Sequence, residues 1–184
     1  MIFLLFLELI VLSAAHCFRT DLAEGVSEIV KSEYKVAVGK FNRDIDAPET
    51  EEIQTFEIVD VTIPANYNGK FSKYLGDIAV LTLDAAIIYR NHIAPACLNI
   101  NARGVREKQL PIDNTLGLVA GFGQTRERKP SDVLRKIAVP IVSHEQCLKM
   151  AHDDYKHFLV NDKFCAGFTN NTGGLCKGKS MYEA

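Results

Sequence analysis

His16 follows an apolar run, residues 2–11, that only Glu8 interrupts, and three small residues, Ser13-Ala14-Ala15, lie directly before it. An imidazole titrates near neutrality and can take a proton and return it. A buried strand that ends in small residues sets such a histidine at a strand-to-turn junction. Another backbone or a substrate can then approach the ring, while Cys17 can pin the turn. A lone histidine is by default a satisfied core or surface residue. Two distant stretches raise this one: Gly76-Asp77-Ile78-Ala79-Val80-Leu81 and Cys176-Lys177-Gly178-Lys179-Ser180. A serine hydroxyl is a poor nucleophile at neutral pH, and it needs a base within hydrogen-bond reach that a third group orients.

The elements that must position these groups read mostly as strands. Residues 34–38 alternate polar and apolar, as a half-buried strand does, and so do 54–63, where Phe56, Ile58, Val61 and Ile63 are apolar. Residues 78–83, 116–123, 134–142 and 164–168 are further strands; Pro140 inside one of them suggests an edge or a bulge. Residues 27–31 read as a short helical turn. Residues 64–76 read as a loop with turn chemistry at Asn68-Gly69. Ser143-His144-Glu145-Gln146 has the capping-box pattern and predicts a short helix to about 151. Residues 99–114, long and polar, are the best boundary between two halves. Many short strands, few helices and long loops indicate an all-β chain, with a barrel or sandwich as the usual solution.

The chain has 184 residues, a net charge of −2 and 47% hydrophobic residues. That is enough for a sizeable core, and the charge balance gives no support for nucleic-acid or membrane-surface binding. Residues 1–12 also admit reading as a secretory signal, with Ser13-Ala14-Ala15 as its cleavage site. The absence of a basic leading region, and Glu8 within the run, favour a core strand instead. The run is too short to cross a bilayer. Five cysteines occur: Cys17, Cys97, Cys147, Cys165 and Cys176. Their connectivity is open at this point, and an odd count leaves at least one unpaired within the chain.

Ala14-Ala15-His16-Cys17 resembles the histidine motif of the chymotrypsin-like, trypsin-fold serine proteases, and Asp77-Ile78-Ala79-Val80-Leu81 resembles their aspartate motif. Gly121-Phe122-Gly123 resembles their Gly-Trp-Gly turn, and Cys165-Ala166-Gly167 the triplet before their serine loop. The order histidine, aspartate, serine matches a triad order known for that fold. The resemblance covers the chain from about Leu9 to Ser180. Tyr34-Lys35-Val36-Ala37-Val38-Gly39-Lys40 and Leu175-Cys176-Lys177-Gly178 are most similar to arthropod modular or clotting-factor-type immune proteases.

The resemblance implies a double antiparallel Greek-key β-barrel. The first barrel is expected over about 1–110. The second, over about 115–184, is expected to be incomplete, with one short helix near 143–151. It implies His16 as general base, Asp77 as its orienter, Ser180 as nucleophile, and the backbone N–H groups of Gly178 and Ser180 as the oxyanion hole. It implies a disulfide between Cys147 and Cys165, worth roughly 3 kcal/mol in the chain-entropy model. The family partners of Cys17 and Cys176 are absent from this sequence, and Cys97 would tie the domain to an upstream pro-region. The chain is therefore expected to be a fragment, truncated at both ends, of a secreted, extracellular protein; without the resemblance, five free thiols in a reducing compartment would remain open. Asn170-Asn171-Thr172 offers one glycosylation sequon, at Asn170.

The serine loop departs from the family pattern. Gly178-Lys179-Ser180-Met181-Tyr182-Glu183 stands where Gly-Asp-Ser-Gly-Gly-Pro is expected. Lys179 has the wrong sign to receive the ammonium of a newly cut N-terminus. Met181 and Tyr182 do not replace glycines that permit tight turns. Gly174, about where the family sets the charge of its specificity pocket, brings no carboxylate and argues mildly against a preference for Lys or Arg. The acidic residues Asp44, Asp46, Glu49, Glu51 and Glu52 lie where some relatives bind calcium, but a solvated loop is the preferred reading. His92, His144, His152 and His157 have no recognisable partner spacing, and a charged surface is the reading for His152 and His157 with Asp153 and Asp154. No cofactor and no metal are expected. The expected partner is a protein or peptide substrate. The expected activity is serine-type peptide-bond hydrolysis, little or none of it retained in this chain; the alternative is a non-catalytic homologue acting as a binding or regulatory partner.

Overall fold

Alternation becomes sheet wherever one face can be buried. The computed structural model describes residues 4–22, 25–28, 33–48, 52–98, 115–125, 129–160 and 162–168. They fall in two compact units that part between Leu98 and Asn99. In the first, β1 (Leu4–Leu7), β2 (Ile10–Ser13), β5 (Lys35–Val38), β6 (Gln54–Thr62) and β7 (Ala79–Leu83) make one antiparallel sheet in the order β1-β2-β7-β6-β5. It curls into a half-barrel. Strands β3 (Arg19–Leu22) and β4 (Gly25–Glu28) form a separate hairpin.

On β5 and β6 the inward positions follow the alternation; on β7, a continuous apolar run, pairing selects them. Val36 and Val38 on β5, Phe56 and Ile58 on β6, and Ala79, Leu81 and Leu83 on β7 are buried in one cluster with Val11, Phe18, Ile87 and Ile93. Each large apolar side chain removed from water in this way contributes about 1.5–3 kcal/mol before entropy is counted. The spacing of Phe56, Ile58, Val61 and Ile63 breaks strict alternation, and the pairing shows why. The register of β6 against β7 shifts between Ile58 and Asp60. This bulge lets Val59 face solvent and returns Val61 and Ile63 to the same core.

Two expectations are corrected in this unit. The apolar run before His16 is a hairpin rather than one strand: β1 and β2 pair from Leu4↔Leu12 to Leu7↔Ile10, and Glu8 and Leu9 make the exposed turn. Burying a carboxylate is costly, so the charged residue that interrupts the run is where the chain reverses. Ser27 and Glu28, expected to open a helical turn over 27–31, belong instead to the strand β4 that pairs with β3, and 29–31 lie outside the described residues. Arg19-Thr20-Asp21-Leu22 shows no apolar face, so only pairing reveals that hairpin. The loop 64–76 contains a 3-10 turn, Gly69–Ser72.

In the second unit, β8 (Leu116–Gly121), β9 (Arg135–Val142) and β10 (Cys165–Ala166) form a sheet with β9 in the middle. The edge or bulge suggested by Pro140 is not what the structure shows: Pro140 pairs with Leu116 inside the central strand. The Pro140 carbonyl accepts from Gly167 N–H at 2.9 Å, just past the end of β10. In a strand a residue's nitrogen points to the same side as its carbonyl, so the absent donor falls where β10 has ended. Ser143 caps α1 (His144–Met150) by accepting from Gln146 N–H at 3.2 Å, as the capping pattern predicts. A second, unexpected helix, α2 (Asp153–Lys156), follows, with His152 as its cap. Cys147 on α1 and Cys165 on β10 are joined by a disulfide.

Candidate active site

The pairing of β2 with β7 brings two chemically capable residues together across 61 positions of sequence. The strands run antiparallel, with Ser13 opposite Ala79. The chain leaving β2 therefore emerges beside the chain entering β7. His16 sits three residues beyond the end of the one, and Asp77 two residues before the start of the other.

Local structure holds each residue in place. Ala15–Cys17 form a 3-10 turn, closed by Cys17 N–H to the Ala14 carbonyl at 3.2 Å and Phe18 N–H to the Ala15 carbonyl at 2.9 Å. Ala15 and Phe18 are buried on either side of His16, and the Phe18 ring meets Tyr34 at 5.5 Å between centroids. The histidine thus rides on a turn nailed to the core at both ends. Asp77 lies at the centre of a tight turn in which Ile78 N–H donates to the Gly76 carbonyl at 2.7 Å. Gly76 has φ +70°, and a Cβ there would meet nothing nearer than 3.5 Å. The glycine is needed for its backbone conformation and not for space.

The Asp77 carboxylate uses both oxygens on His16. Oδ2 lies 2.7 Å from the ring Nδ1, and Oδ1 accepts the backbone N–H of His16 at 2.8 Å. The two side chains are only 17% and 5% exposed. This two-point grip fixes both the position of the residue and the orientation of its ring. The Asp77 hydrogen bond pushes the His16 pKa up to about 10; a hydrogen bond with the Cys17 side chain acts in the same direction, and burial acts against it. The resemblance of the motifs around His16 and Asp77 implied the imidazole contact. They carried no sign of the second one, because a backbone donor has no signature in side-chain identity.

Of the other candidate residues, Cys147 and Cys165 are bonded to each other. Ser180, Gly178, Gly174 and Asn170 lie outside the described residues, as does Cys176. Among the described residues Cys17, half-buried, and Cys97, exposed, are free thiols. The acidic loop has an organiser that the reading of its carboxylates overlooked. Lys40 reaches into it and donates to the carbonyls of Ala47 at 3.0 Å and Ile45 at 3.4 Å. Its signal was a lysine, with Arg43, at the entrance to an acidic segment. His92 contacts the Glu52 carbonyl at 3.1 Å, His152 pairs with Asp154 at 3.1 Å, and the His157 ring meets Phe158 at 3.9 Å between centroids. Among the described residues no group of three or more His, Cys, Asp or Glu is placed to hold a metal ion.

Comparison with known proteins identifies the family. The trypsin family model matches residues 4–180. The chain is 28% identical over 172 residues to coagulation factor IX of Cavia porcellus, covering 92% of this chain and 53% of that protein. It is 29% identical over 173 residues to coagulation factor IX of Oryctolagus cuniculus, covering 92% and 54%. It is 24% identical over 172 residues to clotting factor C of Tachypleus tridentatus, covering 92% and 16%. The chain thus spans about half the length of the two factor IX proteins and a smaller part of clotting factor C. No helix among the described residues is long and apolar enough to cross a membrane.

Proposed function

The chain belongs to the trypsin family of serine endopeptidases, and we propose on that premise that it is a clotting-type protease domain, secreted, whose acyl-transfer machinery is only partly intact. The observation that carries this reading is the grip of Asp77 on His16, by Oδ2 on Nδ1 and Oδ1 on the backbone N–H. That is the arrangement a general base needs. The carboxylate fixes the tautomer with Nδ1 protonated and stabilises the imidazolium, which leaves Nε2 to exchange a proton.

In the proposed reaction, Nε2 of neutral His16 takes the Ser180 hydroxyl proton as the oxygen attacks a peptide carbonyl. The N–H groups of Gly178 and Ser180 receive the oxyanion, and His16 returns the proton to the leaving amine. Losing one oxyanion donor costs roughly 3 kcal/mol of transition-state stabilisation. One feature acts against turnover. Lys179, Met181 and Tyr182 replace the carboxylate and glycines of the family's serine loop. Substrates are proteins or peptides, with no preference for Lys or Arg indicated at Gly174. Cys97, exposed and a free thiol, is the proposed tether for a pro-region. The extent of the two barrels, about 1–110 and about 115–184, belongs to the same proposal.

The test is incubation of the purified chain with a serine-directed phosphonate, followed by mass spectrometry. We expect no stoichiometric labelling. Stoichiometric label on Ser180 that disappears in His16→Ala would overturn the claim of impaired chemistry.

The charge reversal at Lys179 favours a second reading, a non-catalytic homologue that acts as a regulatory partner. It requires a secreted protein containing the peptide 179–184, detectable by mass spectrometry. An intact serine loop encoded in another frame just past Gly178 would eliminate it.

A further inference from the structure

We draw no further inference here: the strongest candidate, the free Cys17 thiol in the 3-10 turn beside the His16–Asp77 pair, is a lone cysteine with no second observation among the described residues to indicate what it would react with or bind.

Discussion

The two units bury their apolar residues to different depths. Around the five-stranded sheet, Val11, Phe18, Val36, Leu81 and their neighbours close a continuous core. Around the three-stranded sheet, Val139 and Ile141 are the buried apolar residues among those described, and Leu116 and Leu118 on β8 are 69% and 77% exposed. The second unit instead carries a disulfide that joins α1 to β10. The His16–Asp77 pair belongs to the better-buried unit, and the contrast shows what a two-point carboxylate grip needs. Both turns that carry it are anchored by fully buried neighbours, Ala15 and Phe18 on one side and Ala79 on the other.

If this contrast is correct, truncating the first core has the largest effect. Leu81→Ala removes a fully buried side chain from the centre of β7, so we expect a loss of about 2–5 kcal/mol in urea unfolding. A loss below about 1 kcal/mol would show that the core is looser than described. Replacing Cys147 and Cys165 together with Ala should cost roughly 3 kcal/mol. Hydrogen exchange should place that loss in the second unit and leave β2 and β7 protected. Equal loss of protection in both would break the distinction between them.

The next test concerns charge. The His16 pKa is raised on folding, from 6.5 to about 10. The stability that Asp77 provides through it is therefore fully present below pH 6.5 and is lost as pH rises through about 10. Asp77→Asn should flatten that part of the stability–pH profile and lower the His16 titration midpoint followed by NMR. An unchanged midpoint would mean that the carboxylate does not hold the imidazolium. Ser143→Ala should cost about 1 kcal/mol by removing the cap of α1. Leu118→Ala, on the exposed face of β8, should fall within about 0.5 kcal/mol, and a larger loss would show that something covers that face.

The strands with one buried face were legible in advance. Alternation over 34–38 and 54–63 fits the burial of Val36, Val38, Phe56 and Ile58; the strand at 78–83 was legible as an apolar run, but which of its residues face inward was not. The cap at Ser143 was legible because its mechanism is local. The β3–β4 hairpin was not, since its strands show no period-two apolar pattern and exist only through each other. The turn at Glu8 and Leu9 was half-legible: the charge was noticed as an interruption, but not as a reversal of the chain.

For the candidate site the division is similar. A histidine after small residues and an aspartate after glycine are ordinary in isolation; it was the resemblance of their motifs to those of the trypsin-fold proteases that named His16 and Asp77 and the chemistry open to them. Those motifs are local, and the sequence by itself determines them. The sequence also determines the charge at Lys179, because a lysine there is a cation whatever surrounds it. Only the tertiary structure decided that β2 lies against β7 in the register Ser13↔Ala79. That register follows from which faces are buried together, and a slip of one residue would turn every inward side chain outward. It sets Asp77 2.7 Å from an imidazole 61 residues away, brings its other oxygen to a backbone N–H, and so raises the proton affinity of His16.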